Sequence, residues 1–167
     1  MILETVAPFR SRDVGFKLAL EDWELSAYHG LRRRIFCEEQ RLFVGDDRDA
    51  IDDRALPIVA VSRLAGIPDD VVGVVRVWQE TSGCWWGGRL GTHPDHRRNG
   101  TIGPGLVRLA VRTACRRGCT RFRATVQTPN VGLFERLRWR VVGEARVCGL
   151  PHALMEADLD HYREGQS

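Results

Sequence analysis

The segment Leu90–Leu106, LGTHPDHRRNGTIGPGL, constrains the fold of this chain more than any other stretch. An apolar run ends in a proline turn, and a basic, glycine-rich loop then leads into an amphipathic helical pattern. This order predicts a strand–loop–helix unit whose loop presents backbone N–H groups beside arginine side chains. Such a loop at a helix N-terminus is suited to bind a pyrophosphate group.

Glycines recur through this loop at Gly100, Gly103 and Gly105. Because they lack a Cβ atom, we expect a ligand to approach their backbone closely. Pro104 suits the first helical position, where a missing N–H costs least, so Gly103 is the expected N-cap. The N–H groups of Gly103, Gly105 and Leu106 would then remain free to face an anion, aided by the helix dipole.

Three polar residues, Arg97, Arg98 and Asn99, add positive charge and hydrogen-bond donors to the loop. The loop lacks the Gly-Lys-Ser/Thr ending of a nucleotide-hydrolysing P-loop, and its GTIGPG spacing differs from the GxGxxG of dinucleotide sites. Neither of those functions is therefore expected. The alternative to an anion site is a tight glycine-rich connection with solvated arginines, but the strand before the loop and the helix after it favour the anion site.

The remaining patterns predict the order β-α-β-β-β-α-β-α-β-β, a mixed α/β (α+β) sheet rather than a regular βαβ alternation. The first helix is expected over about 25–40 and the second over about 104–117. A turn at 67–70 is expected to join two strands into a hairpin. Gly87 and Gly88 inside the third strand of this group indicate a β-bulge or a close backbone approach.

The composition limits the class of protein. At 167 residues, the chain is expected to form a single domain over 1–167. A net charge of +3 is too small for a typical nucleic-acid-binding protein, and no apolar run approaches the roughly 20 residues that span a bilayer. The stretch to Arg12 lacks the apolar segment of a signal peptide. Five cysteines without CxxC spacing are expected as free thiols, which predicts a cytoplasmic protein.

Three motifs resemble the GNAT superfamily of acyl-CoA-dependent N-acyltransferases, and together they extend over nearly the whole chain. The first comprises 90–94 and 97–103, which are similar to the superfamily's Arg/Gln-x-x-Gly-x-Gly/Ala loop after a strand and a proline. The second is Asn130 with 134–139, similar to the later signature Asn … Tyr-Glu-Lys-Leu-Gly-Phe. The third, 35–40, resembles some GNAT branches and, loosely, homoserine-lactone synthases.

The resemblance implies a mostly antiparallel sheet of six to seven strands, splayed at the central strand and flanked by about four helices. It implies transfer of an acetyl group from acetyl-CoA to an amine by direct attack in a ternary complex. A small-molecule amine is the expected acceptor, no metal is needed, and a homodimer is left open. The alternatives are a catalytically silent acyl-CoA-binding or sensing module and a lactone-synthase-like acyltransferase.

The same resemblance assigns the contacts to CoA. The strand that carries Leu90 and Thr92 would offer free backbone groups to the pantetheine arm and an N–H to the oxygen of the thioester. The loop after this strand would hold the pyrophosphate. The expected CoA-binding residues are Leu90, Gly91, Thr92, Arg97, Arg98, Asn99, Gly100, Thr101, Ile102, Gly103, Gly105, Asn130 and Phe134.

The sequence departs from the family pattern at three positions. Thr101 is an apparent one-residue insertion between Gly100 and Ile102. Phe134 stands where many members have a tyrosine thought to protonate the leaving thiolate, and a phenyl ring cannot donate a proton. Arg138 replaces the glycine of the Leu-Gly-Phe turn. The phenylalanine is the reason to keep the silent, acyl-CoA-binding alternative.

An acceptor ammonium must lose a proton before it attacks, which makes a general base useful. Glu39 extends the apolar stripe of the first helix and is expected to face inward with a raised pKa, and the alternative for its carboxylate is an arginine partner. Glu80, at a strand end, is a weaker candidate for this base. His93 could relay a proton from its turn beside the strand, and Tyr28 could supply a hydroxyl to the acceptor site. The acidic run within 43–53 is expected to be a solvated loop or an attraction for a cationic acceptor.

Overall fold

The computed structural model describes residues 12–163, with side chains from residue 13 onward. The stretch expected to lack a signal peptide lies outside the described residues, apart from the backbone of its last residue. The strands are β1 (Arg12–Leu18), β2 (Leu56–Leu64), β3 (Ile67–Thr81), β4 (Cys84–Thr92), β5 (Arg121–Gln127), β6 (Trp139–Val147) and β7 (Leu150–Ala157). The α-helices are α1 (Asp22–Arg33), α2 (Ile102–Arg116), α3 (Val131–Arg136) and α4 (Leu159–Arg163).

The strands form one seven-stranded sheet in the order β1-β2-β3-β4-β5-β7-β6. Neighbouring strands are antiparallel except β4 and β5, which run parallel. Their pairing begins at Cys84 with Arg121 and ends at Gly87 with Ala124, so the two strands part toward their C-terminal ends. The predicted mixed, mostly antiparallel and centrally splayed sheet is confirmed, and α4 follows the last strand as an additional element.

A β-bulge interrupts β4 where the sheet begins to open. Arg76 pairs with Gly88 and Val74 pairs with Gly91, so β4 carries one more residue than β3 between these two pairs. Within the bulge, Arg89 has a φ of 55°, in the left-handed region that non-glycine residues seldom adopt. The bulge predicted from the two adjacent glycines of this strand is confirmed, and its left-handed residue is an arginine.

The hairpin between β2 and β3 turns earlier than the sequence predicted. Residues 67–70, the expected turn, lie in β3, and the chain reverses at Ala65 and Gly66, whose φ values are 51° and 77°. Two successive left-handed residues match the twist of hairpin strands. Pro68, which suggested the turn, lies beside a register irregularity of β2, where its missing N–H interrupts no regular ladder.

Both long helices differ from their predicted limits. After α1 the chain continues as a π-helical segment, Arg34–Glu39, in which the hydrogen bonds run from residue i to i−5. Helix α2 begins at Ile102, so Gly103 lies inside its first turn and Thr101 is the N-cap. The predicted N-cap at Gly103 is therefore wrong. Pro104 still lies in the first turn, where a helical N–H has no intrahelical partner.

Helices α1 and α2 cover opposite faces of the sheet, each over its own apolar cluster. Beneath α2, Leu106, Val111 and Phe122 are almost completely buried. Beneath α1, Tyr28 and Val74 are equally buried. The middle of β3 is buried on both faces, which explains why it reads as a continuous apolar run rather than an alternating one.

The glycine at position 105 brings α2 against β1. A Cβ atom at Gly105 would collide with the ring of Phe16, so this glycine serves helix–strand packing, and the predicted close approach of a ligand to its backbone is wrong. Two residues earlier on the same helix, a Cβ atom at Gly103 would meet nothing within 4 Å. The two glycines therefore have different physical roles although they look alike in the sequence.

The acidic loop within 43–53 is held against the sheet by buried ion pairs. The fully buried Arg32 donates from Nε to Asp47 Oδ2 at 2.8 Å and from Nη1 to Asp52 Oδ1 at 2.6 Å. The Asp47 side chain is completely buried. The expectation of a solvated loop is therefore wrong, because arginines of the sheet and of α1 form hydrogen bonds with carboxylates of this loop.

Two arginines of the sheet complete this arrangement. Arg89 donates from Nε to Asp47 Oδ2 at 3.0 Å, and Arg76 donates to both oxygens of Asp49 at 2.6 and 3.0 Å. Together with Arg32 and Asp52 they form what we call the ion network: Arg32, Arg76, Arg89, Asp47, Asp49 and Asp52. Three guanidinium groups face three carboxylates, so the network is neutral as a whole.

The charge state of Asp52 follows from these contacts. Burial alone would raise its pKa, but hydrogen bonds from Arg32 and the Asp49 N–H, with the charge of Arg76, hold the pKa of this carboxyl well below its usual range. A carboxylate whose pKa is lowered by folding stabilises the fold above its unfolded-state pKa of about 4. This contribution is lost as the pH falls from there through the folded-state pKa.

We expect Gly105→Ala to lower the free energy of unfolding by about 1–3 kcal/mol, because the added methyl group must displace the Phe16 ring. The matched control is Gly103→Ala, which adds the same group to open space on the same helix. It should raise the free energy of unfolding by about 0.5–1 kcal/mol. Urea denaturation followed by circular dichroism measures both values, and equal shifts would contradict the packing role of Gly105.

We expect Asp52→Asn to lower the free energy of unfolding at pH 7 by about 3 kcal/mol, because the buried Arg32 loses a charged partner. Asp53→Asn, at the exposed neighbouring position, should change it by less than about 0.5 kcal/mol. The gap between wild type and Asp52→Asn should narrow below about pH 4, because the wild-type carboxylate then takes up a proton in the unfolded chain while it stays ionised in the folded one. Urea titrations across pH 3–7 test this, and a gap independent of pH would refute the ionised pair.

Candidate active site

A cavity of about 470 Å³ occupies the gap where β4 and β5 part. Its lining comes from both faces of the sheet. Val107 and Ala110 belong to α2, whereas Phe36 and Phe43 belong to the α1 side. The gap therefore connects the two faces, and two molecules that approach from opposite faces could meet within it.

The edge of β4 that faces this gap pairs with β5 only as far as Gly87. On its other edge, β4 remains paired with β3 up to Thr92, which lies opposite Gly73. Among the described strands, none pairs with the gap-facing edge at Leu90, Gly91 and Thr92. Backbone groups on this edge are available to an extended ligand, which is the geometry that the expected pantetheine contacts require.

Arg97 extends from the loop toward the π-helical segment. It donates to both carboxylate oxygens of Glu39 at 2.8 and 2.7 Å, and its Nε donates to the Thr92 carbonyl at 3.2 Å. The hydrogen bonds from Arg97 lower the pKa of Glu39. The predicted inward-facing Glu39 with a raised pKa is therefore wrong. The π-helical segment ends at Glu39, next to the exposed loop, and there Arg97 binds its carboxylate.

The turn before α2 is organised by Asn99. Its Oδ1 accepts hydrogen bonds from the N–H and the hydroxyl of Thr101 at 3.1 and 2.6 Å. Gly100 and Gly103 have open space at their Cβ positions, and Arg98 is exposed beside them. The start of α2 thus combines accessible backbone, free arginine charge and a positive helix end, which suits a bound anion.

Two of the expected loop contacts are limited by the helix itself. Gly105 donates its N–H to the Thr101 carbonyl at 3.0 Å, so the prediction that this N–H remains free is wrong. The reason is that α2 starts earlier than predicted, which places Gly105 in the hydrogen-bonded part of the helix. The side chain of Ile102 is completely buried in the core, and its N–H donates to the Asn99 carbonyl at 3.4 Å.

The α3 side of the cavity is apolar at the position where the family pattern has a tyrosine. Phe134 is 5% exposed, and its ring meets that of Trp139 edge to face with centroids 5.1 Å apart. Asn130 lies beside it in the cavity wall. The two tyrosines, Tyr28 and Tyr162, are both outside the cavity lining within the described part of the chain. Phe134 therefore acts as packing and supplies no proton.

His152 is a cavity residue that the sequence did not single out. Its side chain is buried at 7% exposure on β7, and it lines the cavity. Nδ1 lies 3.0 Å from the Leu150 carbonyl oxygen, which can only accept a hydrogen bond. Nδ1 therefore donates a hydrogen bond to this oxygen, and in the tautomer that does so the lone pair lies on Nε2. No sequence signal marks this residue, because its neighbours come from another strand and another helix.

Glu80 as a weaker base, His93 as a proton relay and Tyr28 as a hydroxyl donor are all outside the cavity lining of the described chain. Glu80 pairs with Arg54 at 2.8 Å on the surface. Tyr28 accepts a hydrogen bond from Arg32 at 3.0 Å, and burial raises its pKa. Nδ1 of His93 accepts a backbone N–H of its own turn at 3.1 Å. Each of these side chains serves the local structure around it.

Residues 12–163 were also compared with the patterns of metal-binding sites and of membrane-spanning helices. Over this range, no cluster of three or more His, Cys, Asp or Glu side chains is arranged to hold a metal ion. No helix in the same range is both long and apolar enough to cross a membrane. The five cysteines, Cys37, Cys84, Cys115, Cys119 and Cys148, are free thiols.

Solved structures share this fold. A protein of Lactobacillus plantarum assigned as an N-acetyltransferase is 23% identical, with 89% of this chain and 99% of that chain covered at a TM-score of 0.73. An acyl-CoA N-acyltransferase of Pseudomonas aeruginosa is 21% identical, with coverages of 88% and 99% and a TM-score of 0.64. An aminoglycoside 6′-N-acetyltransferase complexed with coenzyme A is 14% identical, with coverages of 88% and 97% and a TM-score of 0.70.

Sequence comparison gives the family directly. A search of curated proteins returns no match. The profile described as the acetyltransferase (GNAT) family matches residues 17–139, which include the open strand edge of β4, the basic loop and α2. This match spans well over half of the chain, and the mostly antiparallel sheet that opens at its parallel strand pair agrees with it. The chain belongs to the GNAT acetyltransferase family.

Proposed function

We propose that this protein transfers an acetyl group from acetyl-CoA to the nitrogen of a small-molecule amine. The observation that carries the proposal is the opening between β4 and β5, which joins both faces of the sheet. It lies next to a basic loop with open space over Gly100 and Gly103. Family membership supports acyl transfer from CoA in general, and this opening would give the two substrates separate approaches.

We propose contacts to CoA for the residues around the opening. Arg98 and the first turn of α2 would bind the pyrophosphate. Arg97 would also bind it after exchanging its hydrogen bonds to Glu39 for hydrogen bonds to the anion. The free edge of β4 would pair with the amide groups of the pantetheine arm. Phe134 and Asn130 would form the wall beside the thioester end. The aminoglycoside acetyltransferase neighbour, which is complexed with coenzyme A, supports this choice of co-substrate.

The transfer would proceed in one ternary complex. Bound acetyl-CoA supplies a thioester, which is an acyl group activated toward amines. The acceptor nitrogen forms a C–N bond to the acetyl carbonyl carbon as the C–S bond breaks, the amine gives up a proton, and the sulfur takes one up. A backbone N–H on the open edge of β4 would stabilise negative charge on the carbonyl oxygen. No covalent enzyme intermediate is required.

His152 is our candidate for the group that takes the proton from the acceptor amine. It lines the cavity, its ring is fixed by the Leu150 carbonyl, and its Nε2 has a free lone pair. Glu39, the residue expected from the sequence, is ion-paired with Arg97 and has a lowered pKa, which makes it a weak base. Protonation of the thiolate would fall to water, because the tyrosine position is Phe134.

A catalytically silent acyl-CoA-binding module is the second candidate function, and the buried Phe134 ring favours it. Release of free thiol from acetyl-CoA in the presence of a panel of amines separates the two candidates. Binding of acetyl-CoA without thiol release from any amine would support the silent module. The lactone-synthase-like alternative depends on residues 35–40, and Arg97 engages the carboxylate of Glu39 in this segment.

We further propose that residues 1–167 form one domain, on the basis of the chain length. We also propose that the protein is cytoplasmic, on the basis of the odd cysteine count.

We expect Arg97→Ala combined with Gly103→Asp to raise the Kd for CoA at least about tenfold, because one cation is lost and a carboxylate enters the anion site. Isothermal titration calorimetry with CoA at low salt measures this. The control is Arg63→Ala, which removes an exposed arginine of β2 that pairs with Asp13. Equal Kd values for the double variant and the wild type would place the pyrophosphate elsewhere.

We expect His152→Gln to lower kcat at least about tenfold with little change in the Kd for acetyl-CoA, because the side chain would no longer accept a proton. His161→Gln, at an exposed position of α4, is the matched control and should retain the wild-type rate. Full activity of His152→Gln together with loss of activity in Glu39→Gln would return the role to Glu39.

A further inference from the structure

The α1 side of the cavity is aromatic and apolar. Trp78, Trp86 and Phe43 line it, together with Leu42 and Ile51. Trp78 and Trp86 are direct cross-strand partners on β3 and β4, so their side chains project from the same face of the sheet. An apolar or aromatic side chain would gain from contact with these surfaces, whereas a hydroxyl-rich or multiply charged chain would leave its polar groups unmatched.

The carboxylates on this side are already occupied. Asp49, which lines the cavity, accepts two hydrogen bonds from Arg76, and Asp47 behind it accepts from Arg89. Glu80 near the rim is paired with Arg54. Asp47 Oδ1 is the one buried oxygen of these carboxylates without a partner, so the described part of the site offers no accessible free carboxylate to a second ammonium group. This disfavours polyamines and aminoglycosides as acceptors.

A buried donor, in contrast, lacks a partner. The Nε–H group of Arg76 is buried without a hydrogen-bond acceptor among the described residues, and the whole side chain is only 3% exposed. Arg76 lines the cavity, and its Nε lies 4.0 Å from the position of a Cβ atom at Gly88. The atoms nearest to that position belong to the Trp78 ring, at 3.4 and 3.5 Å, so the donor lies beside this tryptophan and a ligand would reach it once the ring shifts. A buried donor without an acceptor is costly, and an acceptor oxygen from a ligand would satisfy it.

A second guanidinium lies at the same place. Arg89 lines the cavity, and its plane lies over the Phe43 ring with 4.2 Å between Cζ and the ring centroid. Nε and Nη2 are held by Asp47, which leaves Nη1 without an acceptor among the described residues. Burial and the neighbouring Arg76 lower the pKa of Arg89, so a nearby anion would be stabilising. The left-handed backbone of Arg89 costs about 1–3 kcal/mol, which these contacts must offset.

We infer that the acceptor is an α-amino acid with an aromatic or large aliphatic side chain, whose carboxylate binds Arg76 and Arg89. Its side chain would lie against Trp78 and Trp86, and its amine would face the opening between β4 and β5. An α-amino acid carries amine and carboxylate on one carbon, so carboxylate binding at the bulge holds the amine next to the open edge of β4. This inference rests on the proposed acetyl transfer and names its substrate class.

The first experiment compares acceptors that differ in one group. Phenylalanine, phenylalaninamide, phenethylamine and spermidine are each tested by thiol release from acetyl-CoA, with product confirmed by mass spectrometry. We expect kcat/KM for phenylalanine to exceed that for phenethylamine and for the amide at least about tenfold, because only phenylalanine carries the carboxylate. A preference for phenethylamine, the amide or spermidine overturns the inference.

Equilibrium binding gives a readout that does not depend on turnover. Phenylalanine and phenethylamine are titrated into the protein without CoA, with calorimetry and tryptophan fluorescence as measurements. We expect binding of phenylalanine to be at least about tenfold tighter and to change the emission, because the ligand would lie against Trp78 and Trp86. Equal or weaker binding of phenylalanine contradicts the carboxylate site.

Variants then assign the carboxylate contact. Arg89→Gln should raise KM for phenylalanine at least about tenfold and leave KM for phenethylamine within about twofold, whereas Arg63→Gln, which removes an arginine of β2 outside the lining, should change neither. Arg89→Lys keeps the charge and should give an intermediate KM. Equal changes for both acceptors in Arg89→Gln would indicate a structural role and overturn the contact. The wild-type ratio between the two acceptors remains decisive if Arg89→Gln fails to fold.

The outcomes also separate this inference from the proposed function. Acetyl-CoA binding with transfer to an amine other than an amino acid would overturn the acceptor class and leave acetyl transfer intact. Failure to bind acetyl-CoA in calorimetry would overturn the proposed function itself. Binding of phenylalanine together with acetyl-CoA, but without thiol release, would support the carboxylate site in a protein that senses both molecules, and would overturn acetyl transfer alone.

Discussion

The buried pair of Arg32 with Asp47, shared with Arg89, is the interaction on which the rest of the site depends. Arg32 is fully buried on α1, and Asp47 brings the acidic loop inward to meet it. Asp47 also holds Arg89, the left-handed residue of the β4 bulge. One carboxylate thus ties a helix, a loop and the bulge together. Buried ion pairs contribute little net stability once desolvation is counted, but removing one partner is costly, so this arrangement fixes geometry more than it adds stability.

The opening of the sheet follows from that fixed bulge. The extra residue in β4 increases the local twist, and beyond Gly87 the strand no longer pairs with β5. The gap exposes backbone groups on one edge and joins the apolar space beneath α2 to the aromatic space on the α1 side. A wall of Phe134 and Trp139 closes it on the α3 side. The cavity is therefore a consequence of strand geometry rather than of a separate loop or lid.

The sequence predicted the strand–loop–helix unit, the order of the elements, the bulge near the two glycines and the parting of the strands. These features depend on local patterns or on the family resemblance, and the structure contains each of them. The prediction for Glu39 failed because helical periodicity shows which side of a helix a residue lies on, but not whether the helix still packs on the sheet at that residue. The prediction for Gly105 failed because a glycine that admits a ligand and one that admits a phenylalanine ring look the same in sequence.

The residues that give the site its chemistry come together only in three dimensions. His152 reaches the cavity from β7, and Arg76 and Arg89 reach it from β3 and β4. The acidic loop looked like a solvated segment, since the sequence could not show that three arginines from α1, β3 and β4 would converge on its carboxylates. The sequence by itself determined the family, the order of the elements along the chain and the basic, glycine-rich loop before α2, because local spacing encodes them. Only the tertiary structure decided which charges are free, because pairing depends on distances between residues far apart in the chain.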